Sequence, residues 1–381
     1  PGQAKIAIKF DRSFLNELDY NDWMAVAKRL EANLTDAVIE GAFKSLPPEV
    51  YPLDAPRVIK KLKARRDRIP RHAEQLYRYL SRYVDVVGTN EKELFEVKRL
   101  ENGDVEVSVF ALGKKEKKQD TTYHRLFRKK ETREIRLYGM GKDDQFHLSG
   151  KAKKSILVRI IGGKGEDVVT DESQVRGGKK TVVYDKPGSL EFEGQEVLDM
   201  TSDDLKVNDY SRLEYKYDTY FPMVSFGRTE DDGLFLGGGV TLDFYGFRKE
   251  PYGVRHRISG DFSTRTNAFH VSYEADFTKA FDWLNFNPSI SFDRPIIFNF
   301  YGYGNGSKDP EELSDRFHWV RLEKLSVRPL LKRNWYNGRN FTRLGPFYEK
   351  IEVENRPGRI TDTELFPQRD LGGKSFLGFI L

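Results

Sequence analysis

The chain has 381 residues, with 64 basic and 59 acidic side chains and a net charge of +5. A charge balance this even gives no reason to expect a nucleic-acid partner, and the absence of cysteine excludes disulfides and thiolate metal sites. Mean hydropathy is −0.64, and no run of about eighteen apolar residues occurs, which excludes a transmembrane helix. Membrane-spanning strands are not excluded, because a strand that alternates apolar and polar residues has a polar mean hydropathy.

The two ends of the sequence predict a fragment of a longer protein. The chain begins at Pro1 without methionine or a signal peptide, and it ends within the apolar run Gly378-Phe-Ile-Leu381. A targeting signal would therefore lie upstream.

Residues 1–90 are predicted to form a helical segment. Asp22 and Thr35 precede apolar residues at helical spacing and are expected to cap two helices, and Pro70 marks a break in a later one. The basic run at residues 60–71 would suit an anionic partner, either lipid headgroups or a phosphorylated substrate. A solvated helix face is the favoured explanation, because charge runs usually indicate only exposure.

Residues 91–190 change to a period of two, which predicts a soluble β domain. Val97 and Val105 fall in strands joined by a hairpin turn at residues 101–104, and the polar residues 113–121 are predicted to form a loop.

Two glycine turns in this domain predict an internal repeat. Residues 137–143 and 161–167 superpose as an apolar residue followed by Gly-x-Gly-x-Asp, the pattern of a strand and a tight turn. Residues 162–170 resemble the nonapeptide of the calcium-binding β-roll of RTX proteins, and this resemblance implies Ca²⁺ at Asp143 and Asp167. Since it covers one full repeat, a metal-free glycine turn between stacked strands is the favoured alternative.

Residues 191–209 are predicted to be a linker, because clustered Asp and Ser break both periodicities there. Beyond it, residues 210–381 alternate apolar and polar side chains in eight predicted strands: residues 213–221, 233–248, 254–263, 269–278, 286–293, 317–331, 341–353 and 375–381. Runs of about ten residues suit a tilted strand that crosses a bilayer, whereas soluble strands are usually of about five or six. The longer connections, 295–315 and 355–373, follow the fifth and seventh strands, and long loops at one end are typical of outer-membrane barrels.

Three motifs in this part of the chain resemble the bacterial surface-antigen family of outer-membrane β-barrels. They are Asp-Asp-Gly-Leu-Phe-Leu-Gly-Gly-Gly at 231–239, Gly-Phe-Arg-Lys-Glu-Pro-Tyr at 246–252 and Asn-Phe-Tyr-Gly-Tyr-Gly-Asn at 299–305. The resemblance implies a sixteen-stranded barrel that assembles or translocates other outer-membrane proteins and follows soluble periplasmic domains. Outer-membrane lipid and other envelope proteins would be its partners, with the soluble half on the periplasmic side.

The chain departs from this family in two respects. Eight strands are present instead of sixteen, and a C-terminal strand with a terminal aromatic residue is missing, as expected for a fragment. The N-terminal half is more similar to the region that links a calcineurin-like metallophosphoesterase domain to such a barrel.

The sequence indicates no active site within this chain, and any catalytic domain would lie upstream. The six histidines lack metal-ligand spacing. The adjacent pairs Asp203-Asp204 and Asp231-Asp232 would point to opposite faces of a strand, so turn residues explain them better than an acid/base pair.

The combined prediction is a mainly β protein: an N-terminal helical segment and a soluble α+β part followed by an incomplete antiparallel transmembrane β-barrel. Its function would be outer-membrane protein assembly or translocation, or anchoring of the soluble half at the membrane. Two alternatives stay open: a soluble, secreted all-β binding protein with a helical cap, and the non-catalytic C-terminal part of a membrane-anchored metallophosphoesterase.

Overall fold

The computed structural model describes residues 2–178, 180–194, 197–229, 233–281, 283–302, 316–335 and 339–381. The chain divides into two compact units, Pro1–Tyr215 and Lys216–Leu381. The predicted Asp231-Asp232 pair, the end of the motif at 299–305 and most of the predicted loop at 295–315 lie outside the described residues.

Five helices occupy the start of the first unit in its described part: Gly2–Phe14 (α1), Tyr20–Asn33 (α2), Asp36–Phe43 (α3), Tyr51–Arg66 (α4) and Ile69–Leu80 (α5). The α2 cap is Asp19 and not Asp22, which corrects the sequence prediction. Asp19 accepts the Asp22 backbone N–H at 3.0 Å, and the Asp22 carboxylate accepts the Asp19 N–H at 3.1 Å, so the two acids form a capping box. Thr35 caps α3 as predicted, by accepting the Val38 N–H at 3.2 Å. Across the described ranges, every helix is too short or too polar to cross a membrane.

The rest of the first unit is a β-solenoid of two sheets. Its strands are Tyr83–Val87 (β1), Glu93–Arg99 (β2), Val105–Leu112 (β3), Lys118–Phe127 (β4), Glu134–Gly141 (β5), Gln145–Ala152 (β6), Leu157–Lys164 (β7), Asp167–Asp171 (β8), Gln174–Val175 (β9), Thr181–Tyr184 (β10), Leu190–Glu193 (β11) and Val197–Asp199 (β12). One sheet has the parallel order β1-β5-β7-β10-β12, and the other has the order β11-β8-β6-β2-β3-β4. Because the chain passes repeatedly from the first sheet to the second, each passage adds one coil to a stack.

The first coil of this stack is covered at its outer side. In the second sheet, β3 pairs antiparallel with β2 and β4 pairs antiparallel with β3, so both lie beyond β2 at the start of the stack. In the first sheet, Asn16 donates to the Asp85 carbonyl on β1 at 2.7 Å, and Arg12 forms a salt bridge with the Asp85 carboxylate at 3.3 Å. The prediction of a loop at 113–121 is wrong in its second half, because β4 begins at Lys118 and pairs with β3.

The core of the solenoid lies between its two sheets. Inward side chains of both sheets form one buried cluster, in which the rings of Phe95 and Phe146 stack at 4.6 Å. At one end of this core, the Arg99 side chain is buried and donates to Ser173 Oγ, Ser155 Oγ, Thr181 Oγ1 and the carbonyls of Ile156 and Lys180 at 2.8–3.1 Å. Since these acceptors lie on successive coils, one guanidinium ties the coils together.

The second unit is one antiparallel sheet of eight strands in its described residues. They are Thr219–Thr229 (β13), Gly233–Phe244 (β14), Val254–Ser263 (β15), Phe269–Phe281 (β16), Leu284–Asn299 (β17), Trp319–Trp335 (β18), Asn340–Val353 (β19) and Gly372–Ile380 (β20). Each strand pairs with the next along the chain, and no described pair joins β13 to β20, so a closed barrel is not shown.

The eight predicted strands are confirmed in number and order, with corrections to their ends and surroundings. The second ends at Phe244 and not at residue 248. The first begins at Thr219 and not at residue 213, because the Tyr215 ring packs 3.7 Å from the Arg12 guanidinium within the first unit. The fifth continues through Pro295 to Asn299, so the loop predicted from 295 begins later. The predicted linker also contains β12, which pairs with β10 and extends the solenoid.

Replacement of Arg99 by methionine should lower the free energy of unfolding of the first unit by about 3 kcal/mol or more, because buried carbonyls and hydroxyls would lose their donor. Urea unfolding followed by circular dichroism measures this. Arg78→Met is the matched control, since Arg78 makes only an exposed helical ion pair with Glu74 at 2.8 Å, worth about 0.3–0.5 kcal/mol. Equal losses in the two variants would contradict the role assigned to Arg99.

Candidate functional site: a two-faced sheet and a carboxylate corner

One face of the eight-stranded sheet is apolar along its whole width. The strand register places one residue from each strand in a continuous cross-strand row: Pro222, Val240, Ile258, Tyr273, Ile290, Val327, Tyr348 and Leu377. These side chains fall on one face because residues directly opposite each other in an antiparallel pair project to the same side. Val271 and Leu377 on this face are 51% and 82% exposed.

Aromatic side chains lie toward both ends of the apolar face. At the end where β14 meets β15, a second row consists of Phe244, Val254, Phe277, Phe286, Leu331 and Leu344. At the opposite end, Phe226, Leu236, Phe262 and Phe269 form another row. Leu236 and Phe244 are eight positions apart on β14, about 27 Å along a strand. An apolar band of about 25 Å between aromatic girdles is the dimension found in transmembrane barrels.

The opposite face of the sheet is polar. One of its rows consists of Ser259, Ser272, Ser291, Ser326 and Glu349, on five successive strands. Ser259 and Ser272 share a hydrogen bond of 2.8 Å between their hydroxyls, and Ser326 donates to Glu349 at 3.2 Å. A polar face that satisfies itself by hydrogen bonds needs no apolar cover.

Ion pairs on the polar face join strands that are not neighbours. Lys332 on β18 contacts Asp276 on β16 at 2.6 Å, and Arg343 on β19 contacts Glu274 on β16 at 3.3 Å. In a flat sheet β16 and β19 would lie about 14 Å apart, a separation at the limit of two extended side chains. These contacts indicate that the polar face is concave and the apolar face convex.

The glycine turns of the solenoid stack in a register that differs by one residue from the sequence superposition. Tyr138, and not Leu137, pairs with Ile161. As a result Asp144, and not Asp143, lies level with Asp167 at the corner between the sheets, as the pairing of β6 with β8 also requires. Local similarity could not resolve this shift, because two acids are adjacent in the first turn.

The two residues predicted to bind calcium therefore have different surroundings. Asp143 is exposed, forms a salt bridge with Lys92 Nζ at 2.6 Å and accepts the Glu166 N–H at 3.2 Å, and the Lys92 hydrogen bond lowers its pKa. Asp167 is buried and accepts the Asp144 N–H at 2.8 Å. In the described part of the chain, no three His, Asp or Glu side chains are arranged to hold a metal ion. Calcium at Asp143 and Asp167 stays a prediction, which this geometry does not support.

A column of buried carboxyl groups, the carboxylate corner, runs through the stacked turns. Its members are Glu93, Asp144, Asp167 and Asp185. Asp144 Oδ1 accepts the Glu93 N–H at 2.8 Å, just as Asp167 accepts the Asp144 N–H, so these two acids cap backbone groups of the neighbouring coil.

Glycine makes room for each of these carboxyl groups. A Cβ on Gly139 would lie 2.5 Å from Asp144 Oδ2, and one on Gly162 would collide with both Asp167 and Asp185. Each glycine precedes its acid by five positions, and Gly88 stands in the same relation to Glu93. This Gly-x4-acid spacing is the sequence signal that could have identified the corner.

Burial raises the pKa of all four acids in the carboxylate corner. Burial, aided by the charges of Asp167 and Glu93, raises the pKa of Asp144 to about 9, although its hydrogen bond with the Glu93 N–H acts in the opposite direction. Burial and the neighbouring Asp185 raise the pKa of Asp167 to about 7. Among the described residues Asp144 Oδ2 has no hydrogen-bond partner, and the carboxyl groups of Asp167 and Asp185 interact with each other. A neutral carboxyl is the form that such surroundings favour.

The other residues that the sequence offered as functional candidates have structural roles. Asp203 and Asp204 are exposed in a turn, where Asp204 accepts the Lys206 N–H at 3.1 Å. In the basic run of α4, Lys63 and Arg66 contact Asp36 on α3 at 2.9 and 2.6 Å, so part of the run joins two helices.

Comparison of the chain with family models, with curated proteins and with solved structures finds no match.

Replacement of Asp144 by asparagine should make the first unit more stable at pH 9 than the native chain and weaken the dependence of stability on pH. The folded pKa of about 9 lies above the ordinary value of 3.8, so the folded state retains a proton that the unfolded state releases. The native chain should therefore lose stability as pH rises between those values.

Pulse proteolysis in urea at pH 5, 7 and 9 measures this dependence. Asp143→Asn is the control: the pKa of Asp143 is lowered, so its titration falls below this range. An unchanged pH dependence in the Asp144→Asn variant would contradict the assignment.

Proposed function

We propose that residues 210–381 form part of an outer-membrane β-barrel of surface-antigen type. The chain would act in outer-membrane protein assembly or translocation, or anchor its soluble half at the membrane. The observation that carries this proposal is the sheet with two opposed faces, one apolar and exposed across eight strands and the other polar and ion-paired.

The exposed apolar face supports a lipid environment over a soluble one. Apolar patches on soluble monomers rarely exceed a few hundred Å², and a face eight strands wide is larger. The second unit contains neither a further sheet nor an α-helix in its described residues, so nothing there covers this face. The runner-up, a soluble secreted all-β binding protein, would need such a layer from elsewhere.

Curvature and strand length support the same proposal. Ion pairs from β16 to β18 and β19 draw the polar side chains inward, as in a barrel with a wet lumen. The described strands have 9 to 17 residues, and a tilted strand needs about 9 to 11 to cross a bilayer.

The connections support an orientation for the sheet. The long ones, 300–318 and 354–371, both follow odd-numbered strands, β17 and β19. Long loops of outer-membrane barrels lie outside the cell. Since β13 enters the sheet from the opposite end, the soluble half would be periplasmic.

Catalysis is not part of this proposal. If the chain is the C-terminal part of a membrane-anchored metallophosphoesterase, the third candidate, its catalytic domain would lie upstream and this chain would serve as the anchor.

Arginine at Val271 should destabilise the sheet in a bilayer by about 2–4 kcal/mol, because the charge would face lipid. The adjacent Ser272 lies on the polar face and shares a hydrogen bond with Ser259, so Ser272→Arg should be tolerated. Urea titration of the chain folded into phosphatidylcholine vesicles measures both. Equal losses at the two positions would be incompatible with one lipid-facing side.

Membrane location can be tested separately with detergent extraction of outer membranes and electrophoresis of unheated samples. We expect the protein in the outer-membrane fraction and a band that shifts on heating, because folded barrels resist the detergent until heated. A soluble protein without a shift would overturn the barrel and favour the binding protein.

A further inference from the structure

One corner of the solenoid, where the chain passes from the second sheet back to the first, carries a column of cations. We name this the basic ridge and define it by seven exposed side chains: Lys129, Lys130, Arg133, Lys151, Lys153, Lys154 and Arg176. They lie in or beside the turns that precede β5, β7 and β10, the parallel neighbours of the first sheet.

The turns of the basic ridge lie close together. A Cβ on Gly103 would lie 2.6 Å from Lys129 Cδ and would collide with the Lys154 carbonyl, so the turns at 129 and 154 adjoin. A Cβ on Gly177 would lie 3.2 Å from the Lys153 carbonyl, which places the third turn against the second. Successive coils are about 4.8 Å apart, so the cations form a line across three coils.

The charge of the basic ridge is not neutralised by the protein in the described ranges. No ion pair to a carboxylate is present for any of its seven side chains there. The acids nearby have other partners: Asp104 accepts from the Lys129 backbone N–H at 2.8 Å and from Arg128 at 3.3 Å, and Glu131 accepts from the Tyr77 hydroxyl at 2.9 Å. Like charges at this spacing repel each other, so an anion bound along the line of cations would reduce their electrostatic repulsion.

We propose that the basic ridge binds the phosphate groups of an anionic lipid surface. Five of its seven members are lysines, flexible point charges that suit phosphates without fixed geometry, and each cation near an anionic membrane adds to the attraction. Its turns contain no aromatic residue, whereas single-stranded nucleic acids are bound by aromatic stacking platforms. The proposal concerns the first unit and does not depend on the second unit spanning a membrane.

The experiment is flotation of the full chain with lipid vesicles. The chain is held in phosphatidylcholine nanodiscs, or free in buffer if the second unit proves soluble, and is mixed with vesicles of phosphatidylcholine with or without phosphatidylglycerol. Binding should require phosphatidylglycerol and weaken as salt is added. The variant Lys130→Ser with Lys153→Ser should bind about 30-fold more weakly.

The matched control is Lys60→Ser with Lys61→Ser, which removes the same charge from exposed positions on α4. It should bind as the native chain does, and circular dichroism should show all variants folded. An equal loss in the control would overturn the proposal, because net charge alone would then explain binding.

Two competitors test the identity of the ligand. If duplex DNA or inositol hexakisphosphate binds the ridge more tightly than phosphatidylglycerol vesicles at the same salt concentration, a nucleic acid or a soluble polyphosphate is the ligand and the lipid proposal is wrong. Vesicle binding that is insensitive to salt and to the ridge variant would overturn it as well. The heat-shift experiment tests only whether the second unit forms a membrane barrel, so its result does not affect the vesicle-binding outcomes.

Discussion

Every backbone N–H group that folding removes from water needs an acceptor, and both units of this chain are organised by that requirement. In the sheet of the second unit, neighbouring strands supply the acceptors along nearly their whole length. In the solenoid, strands pair in the same way along each sheet. At the corner between the sheets, however, side chains take the place of a neighbouring strand as acceptors for the N–H groups of Glu93 and Asp144. Asp144 and Asp167 supply the acceptors there, one coil reaching to the next.

Most of the second unit could be predicted from sequence because its pattern is local. A strand with one apolar face shows a period of two within a few residues, and β14, β15 and β19 begin within one residue of their predicted starts. The period-two pattern fails where a contact with a residue far away in the chain determines the local structure. Tyr215 alternates with polar neighbours as a strand residue would, yet it packs on Arg12, some two hundred positions earlier in the chain.

The candidate site was less predictable, because burial distinguishes residues that look alike in sequence. Asp143 and Asp144 are adjacent acids, and the register of β5 with β7 and of β6 with β8 places Asp144 at the buried corner, whereas Asp143 meets Lys92. Glycine was correctly recognised as the mark of the repeat. The reason for the glycines was missed: they leave space for buried carboxyl groups, a feature of packing that no local motif for a metal would indicate.

The cover on the first coil gives the solenoid a direction. An open end of a parallel stack presents unpaired strand edges on which another copy of the stack could add, as in a fibre. Here the β3–β4 hairpin extends the second sheet beyond β2 and the Asn16 side chain meets the backbone of β1, so the first coil does not present the open edges of two parallel sheets to another copy. A coil added beyond the opposite end would need an acid at the corner and space for its side chain, as Gly162 leaves space for both Asp167 and Asp185.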